Sequence, residues 1–182
     1  MSGRPQVILA LDPSSTRIGY ALWDVAKRRP VELGFLTPDT DTGSRATAGA
    51  RIESLIGQLD RMLRVDNLEG RLERILVEVP VGKQWARCGK RTSGLPVWAF
   101  AAGAVWGMLR WRGKVVHRDG TAGYVPVEAI PATWTQGSTK AGRQVAAAAL
   151  CREYQAGLDP GGDMADALMM VEFWAITAGE EG

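Results

Sequence analysis

Residues 7–11, VILAL, form an unbroken apolar run that stops on Asp12, and Pro13 follows at once. Five such residues are too few for a globular helix. They are the right length for a strand buried on both faces, which shows no alternation because neither face meets water. Proline then forces the chain out of regular pairing. A second apolar run, residues 18–23, follows a turn of small hydroxyl residues, Ser14 to Thr16. The chain is thus committed to a strand–turn–strand unit with a lone carboxylate where a central strand surfaces. Two uses of that carboxylate fit: holding a metal or a phosphate, or starting the turn through its own backbone, as Asp before Pro commonly does.

The pattern continues through the chain. Residues 26–30 read as a turn and 31–36 as a third strand, giving an antiparallel meander. Residues 37–47 are a polar loop. Ile52, Leu55, Ile56, Leu59, Met62 and Leu63 then recur at helical spacing, with Glu53, Gln58, Asp60 and Arg61 elsewhere on the wheel. Residues 74–80, RILVEVP, read as a fourth strand whose apolar run encloses Glu78. An unpaired carboxylate there would cost several kcal/mol or take up a proton. Glu78 therefore sits on an exposed edge or has a compensating cation. Residues 81–94 form a basic loop around Trp85. A helix over 95–111 carries the stripe Trp98, Ala102, Val105, Trp106 and Leu109. Beside it runs a line of small residues, Ala99, Gly103 and Gly107, where another helix can come close. The breadth of this face suggests a second apolar contact, a subunit interface.

Residues 113–130 read as a turn followed by a fifth strand, best placed at 125–130. Turn formers over 131–145 lead into an Ala-rich helix from Val145. Gly161 and Gly162 break the chain, and a helix apolar on almost every side begins at Asp163. Asp163 and Asp166 are three apart, so both project from one face of its first turn. The helix dipole favours an acid at that end. Capping accounts for Asp163 but not for a second acid on so apolar a helix.

Composition narrows the chemistry. A length of 182 residues fits one domain over 1–182, and 46% apolar with 23% charged residues is usual for a soluble globule. No apolar stretch reaches membrane-spanning length, and the N-terminal MSGRPQV lacks a secretion signal's apolar middle, so a cytoplasmic protein is expected. Cys88 and Cys151 form no metal-binding or disulfide pattern, and His117 is the lone histidine. Hydrolytic chemistry must therefore rest on carboxylates. The net charge of +2 hides segregation: Lys83, Arg87, Lys90, Arg91, Arg110, Arg112, Lys114 and Arg118 are uninterrupted by an acid, whereas every formal charge from Glu153 onward is acidic. Such a stripe suits a polyanionic partner or a merely solvated surface.

The order of the acids is more specific than any one of them: one ending the first strand, one in the fourth, and DxxD opening the last helix. In ILALDPSSTRIGYALWD, ILVEVP and GGDMADALMM the sequence resembles the RuvC-like branch of the ribonuclease H-like superfamily. The resemblance implies an α/β, ribonuclease H-like fold: a five-stranded mixed β-sheet flanked by α-helices, with three antiparallel strands first and two parallel to the first strand. It implies Asp12, Glu78, Asp163 and Asp166 as catalytic, metal-binding acids. Two Mg²⁺ ions, or Mn²⁺, about 4 Å apart would serve an in-line phosphodiester displacement. The implied activity is a homodimeric nuclease resolving four-way (Holliday) and related branched DNA junctions in recombination and repair, in a bacterial or phage-infected cell. Lys83, Arg87, Lys90, Arg91, Lys140 and Arg143 would track phosphates. Val81 stands where relatives carry an aromatic, leaving Trp85 to stack on junction bases, worth about 1–3 kcal/mol per base, or simply to pack. Trp134-Thr135 replaces a Trp-Lys pair often seen in phage-type relatives, so Lys140 and Arg143 compete as the basic residue assisting catalysis. Two other readings share the ancestral sheet: an actin- or sugar-kinase-like ATP-binding protein, which generally needs two such domains, and a non-catalytic nucleic-acid-binding relative, which would have lost acids.

Overall fold

β1 (Val7–Pro13) is the strand against which the sheet is laid. It pairs antiparallel with β2 (Ile18–Asp24) on one side and parallel with β4 (Leu72–Val79) on the other. β3 (Arg29–Leu36) continues the meander beside β2, and β7 (Val127–Pro131) lies parallel beyond β4. The order β3-β2-β1-β4-β7 is the expected mixed five-stranded sheet. The structure, a computed structural model, describes residues 6–39, 47–65, 68, 71–80, 95–112, 114–116, 122–135 and 137–179.

Parallel neighbours need long crossovers, and helices supply them. α1 (Ala48–Val65) and α2 (Leu95–Arg112) cover one face, where Leu55, Leu59, Leu63, Val105 and Leu109 pack with Leu9, Leu11 and Val77. α3 (Lys140–Leu150) and α4 (Asp163–Gly179) cover the other, where Ala147, Ala165, Leu168 and Val171 pack with Ile8, Ala10 and Leu76. Alternate residues of β1 thus feed both cores, which explains its continuous apolar run. α4 is apolar nearly all round because most of its first half is enclosed; only further along do Phe173 and Ile176 reach solvent.

Several expectations are corrected. β4 is an interior strand and Glu78 is buried, so an exposed edge does not explain that acid. An antiparallel pair, β5 (Lys114–Val116) with β6 (Ala122–Tyr124), occupies a region expected as a turn; three-residue strands are too short to show a period. The fifth sheet strand starts at Val127, two residues later than expected. α3 starts at Lys140 rather than Val145, because Thr139 caps it by accepting from the Gly142 N–H at 3.0 Å. Lys140 and Arg143 therefore ride on its first turn. The small-residue line of α2 receives no helix from the described residues: a Cβ at Gly103 or Gly107 would meet nothing within 4 Å. Among the described residues, no helix is long and apolar enough to cross a membrane.

One glycine sets the approach of α4 to the sheet. A Cβ on Gly19 of β2 would collide with the Asp163 carbonyl, so only glycine lets the helix start there. Gly19→Ala is expected to destabilise the protein by about 1–3 kcal/mol through overpacking. Denaturant unfolding checks this, and an unchanged midpoint would contradict the close approach.

Candidate active site

Parallel pairing aligns the carboxyl ends of β1 and β4, with Leu11 opposite Val77. The next residue on each strand is an acid, Asp12 and Glu78, so both emerge at the same rim of the sheet. In open α/β sheets this is where ligands collect. Gly19 lets the start of α4 rest on β2 beside that rim, which brings in Asp163 and Asp166. The structure therefore gathers all four acids nominated by sequence, from three elements spread over most of the chain.

Their proximity shows in the Asp12 carboxyl. Burial pushes the Asp12 carboxyl well above the usual carboxylate range, and the charges of Glu78, Asp163 and Asp166 push it further. Asp12 nonetheless keeps part of its surface open at the rim. Burial also raises Glu78, against the opposing pull of hydrogen bonds from Asp12 and Trp134. The closeness of the two carboxyls acts on them in opposite senses, raising Asp12 and lowering Glu78. Trp134 sits on the 3-10 turn Ala132–Thr135 that follows β7, and its Nε1 donates to Glu78 Oε1 at 2.9 Å.

The other two acids are met by cations. Arg17 Nε donates to Asp163 Oδ2. Arg143 grips Asp166 through both oxygens, with Nε donating to Oδ1 at 2.6 Å and Nη2 to Oδ2 at 3.2 Å. The Arg143 guanidinium also lies 5.6 Å from the Trp134 ring centre. Lys140 Nζ is 3.5 Å from Asp163 Oδ1 and 3.9 Å from Asp166 Oδ2. Three protein cations, Arg17, Lys140 and Arg143, thus face the acids at the start of α4.

Lys140 and Arg143, nominated by sequence for phosphates, therefore turn towards the acids. Lys83, Trp85, Arg87, Lys90 and Arg91 lie outside the described residues. Arg112, another member of the basic stripe, pairs with Asp60. Three contributors escaped the sequence reading. Arg17 is the lone basic residue of residues 8–24, a signal that was available. The position of Trp134 had been compared, but not its bond to Glu78. Asp159 is fully buried, and its Oδ2 accepts from Ala165 N at 3.0 Å and from the Tyr154 hydroxyl at 3.1 Å, which anchors the first turn of α4.

Among the described residues, no three Asp, Glu, His or Cys side chains converge tightly enough, as they stand, to cage a metal ion. Asp163 and Asp166 are engaged by Arg17 and Arg143 instead. The donor set still suits a hard divalent cation: it is all carboxylate oxygen, crowded, and faced at present by protein cations. A separate cavity of about 430 Å³, lined by Asp24, Arg29, Leu33, Tyr154 and Met164 among others, includes none of the four acids.

No protein-family model matches the sequence, and no curated protein matches it. Solved structures do. The sheet order and helix placement are those of the ribonuclease H-like fold in its RuvC form. One similar structure is Thermus thermophilus RuvC in complex with a Holliday junction substrate: TM-score 0.62, 19% identity, 94% of this chain and 96% of that one. Another is a structure of Thermus thermophilus RuvC, with TM-score 0.62 and 17% identity over 95% of this chain and 97% of that one. At such identities the likeness is one of fold.

The raised Asp12 carboxyl has a consequence for stability. A carboxyl held above its ordinary value of 3.8 favours the folded state fully below that value, and the contribution is lost as pH rises through the raised value. In chelator, Asp12→Asn should therefore melt higher than the parent at neutral pH, with the gap shrinking as the solution is acidified. Thermal unfolding across a pH series checks this, and a variant that melts lower throughout would contradict it.

Proposed function

We propose that the chain is a divalent-metal-dependent, structure-specific endodeoxyribonuclease that resolves four-way and related branched DNA junctions by paired phosphodiester hydrolysis in recombination and repair. The observation that carries this reading is the convergence of Asp12, Glu78, Asp163 and Asp166 on the carboxyl rim of one sheet, in a fold of the RuvC type. These four side chains would hold Mg²⁺ or Mn²⁺. When bound, the metal supplies Lewis-acid activation of water and stabilises the leaving 3′-oxygen.

The remaining roles belong to the chain's own groups. The Trp134 N–H favours the ionised form of Glu78, which keeps that carboxylate ready as a ligand. Asp159 fixes the turn that carries Asp163 and Asp166. Lys140, half exposed on the first turn of α3, stands where a phosphate approaching the acids would pass. Segment 81–94 follows Glu78 in sequence with only Val79 and Pro80 between, so Lys83, Arg87, Lys90 and Arg91 are assigned to the DNA backbone and Trp85 to base stacking. The outward face of α2, with Phe100 and Trp111 exposed beside open Gly103 and Gly107, is assigned to a second copy of the chain. An ATP-binding reading would put nucleotide between two such sheets, whereas the described residues form one five-stranded sheet and a two-stranded ribbon.

The test uses labelled four-way junction, flap, duplex and single strand, with and without Mg²⁺. Mg²⁺-dependent paired nicks in the branched substrates are expected. Asp12→Asn, Glu78→Gln, Asp163→Asn and Asp166→Asn should each slow cleavage by about a thousandfold, the loss of several kcal/mol of transition-state stabilisation. Junction binding without metal should be retained. Any of these variants that nicks at the parental rate removes its residue from the assignment. The same preparation should sediment as a dimer, and a strict monomer would contradict paired incision.

A further inference from the structure

Arg17 is held more fully than an ion pair at a protein surface requires. Its backbone is fixed by Ser14, whose Oγ accepts from Arg17 N at 3.1 Å and donates to Arg17 O at 2.8 Å. The guanidinium lies over the Phe35 ring, 4.7 Å from its centre. Its Nε is bonded to Asp163 Oδ2, and a Cβ on Gly161 would run into its Nη2. Backbone, flat face and far end each have a seat. Side-chain exposures of 22% for Arg17 and 17% for Asp163 put the pair partly out of water, where it is worth more than an exposed one.

Gly161 and Gly162, which in sequence look like a simple chain break, build this seat and its neighbour. Gly161 clears the guanidinium, and Gly162, with φ of 73°, clears the Lys140 stem. Glycine is the residue for both demands, a left-handed backbone and close approach. The result is a pair of cation seats placed against the first turn of α4.

We propose that Arg17 is a built-in counter-cation of the carboxylate cluster: it competes with a divalent ion for Asp163, and metal binding must displace it. This rests on reading the four acids as metal ligands. The competition follows from where the cations sit. Asp163 has one oxygen bonded to Arg17 and the other facing Lys140, so a metal approaching either oxygen meets a protein cation. A divalent ion set beside three fixed protein cations is repelled by them, and the repulsion falls when one of them leaves. Arg143 is bidentate on Asp166 and stacked on Trp134, and Lys140 lies beyond hydrogen-bond distance of Asp166. Arg17, on a turn and joined to Asp163 through Nε, is the cation in metal's way.

The test is calorimetric titration of Mn²⁺ into the full chain without DNA, for the parent, Arg17→Gln, Gly161→Ala and Asp163→Asn. Arg17→Gln should bind Mn²⁺ about fivefold more tightly, the scale of one partly buried ion pair. Gly161→Ala keeps the arginine but fills its seat, and should shift affinity in the same direction. Loss of a merely structural contact would loosen Asp163 and weaken binding, so the direction of change discriminates. Unchanged or weaker binding in a folded Arg17→Gln overturns the proposal; should that variant fail to fold, the same result in Gly161→Ala does so. If Asp163→Asn abolishes binding while the Arg17 and Gly161 variants match the parent, only the counter-cation role fails. If all four proteins bind alike or none binds, the metal reading fails as well.

Discussion

Four carboxylates brought to one rim repel one another, and much of the surrounding structure makes that crowding tolerable. Charged groups taken out of water cost several kcal/mol each unless they are paired or neutralised. Both remedies are present. Burial and its acidic neighbours raise the Asp12 carboxyl, which disfavours a further negative charge there. Glu78 receives the Trp134 N–H, and Asp163 and Asp166 receive Arg17, Arg143 and Lys140. A group of like charges that folding alone would reject is thus held in place by three cations and by the raised Asp12 carboxyl.

The backbone makes this arrangement unavoidable. Parallel register of β1 with β4 sends two acids out side by side, and no side-chain adjustment can separate them without slipping a central strand. The α4 end is held as firmly. Gly19 admits it to β2, and the buried Asp159 ties its first turn to Tyr154. The two apolar cores on either face of the sheet provide the stability against which this electrostatic cost is set.

The frame was legible in the sequence wherever the signal was local. The unbroken run ending at Asp12, the acid inside 74–80 and the DxxD turn are each readable from a few neighbouring residues, and all four acids meet as their order implied. What sequence concealed depends on pairing across distance. Arg17 and Asp163 are 146 positions apart, and nothing near Arg17 names its partner. Trp134 reaches Glu78 because β7 is in register with β4, Ile130 opposite Glu78, a fact of tertiary pairing. The basic stripe misled where a charge turned inward: Arg112 serves Asp60. The early start of α3 was hidden because Gly137 and Ser138 look like loop, while Thr139 is a cap.

Whether these acids act together on a divalent ion is most directly tested by anomalous scattering from crystals of the protein soaked in Mn²⁺. A manganese peak bounded by Asp12, Glu78, Asp163 and Asp166 side chains, with the Arg17 guanidinium moved off Asp163, is the expected result. Manganese found elsewhere, with Arg17 and Arg143 still on their aspartates at saturating metal, would contradict it.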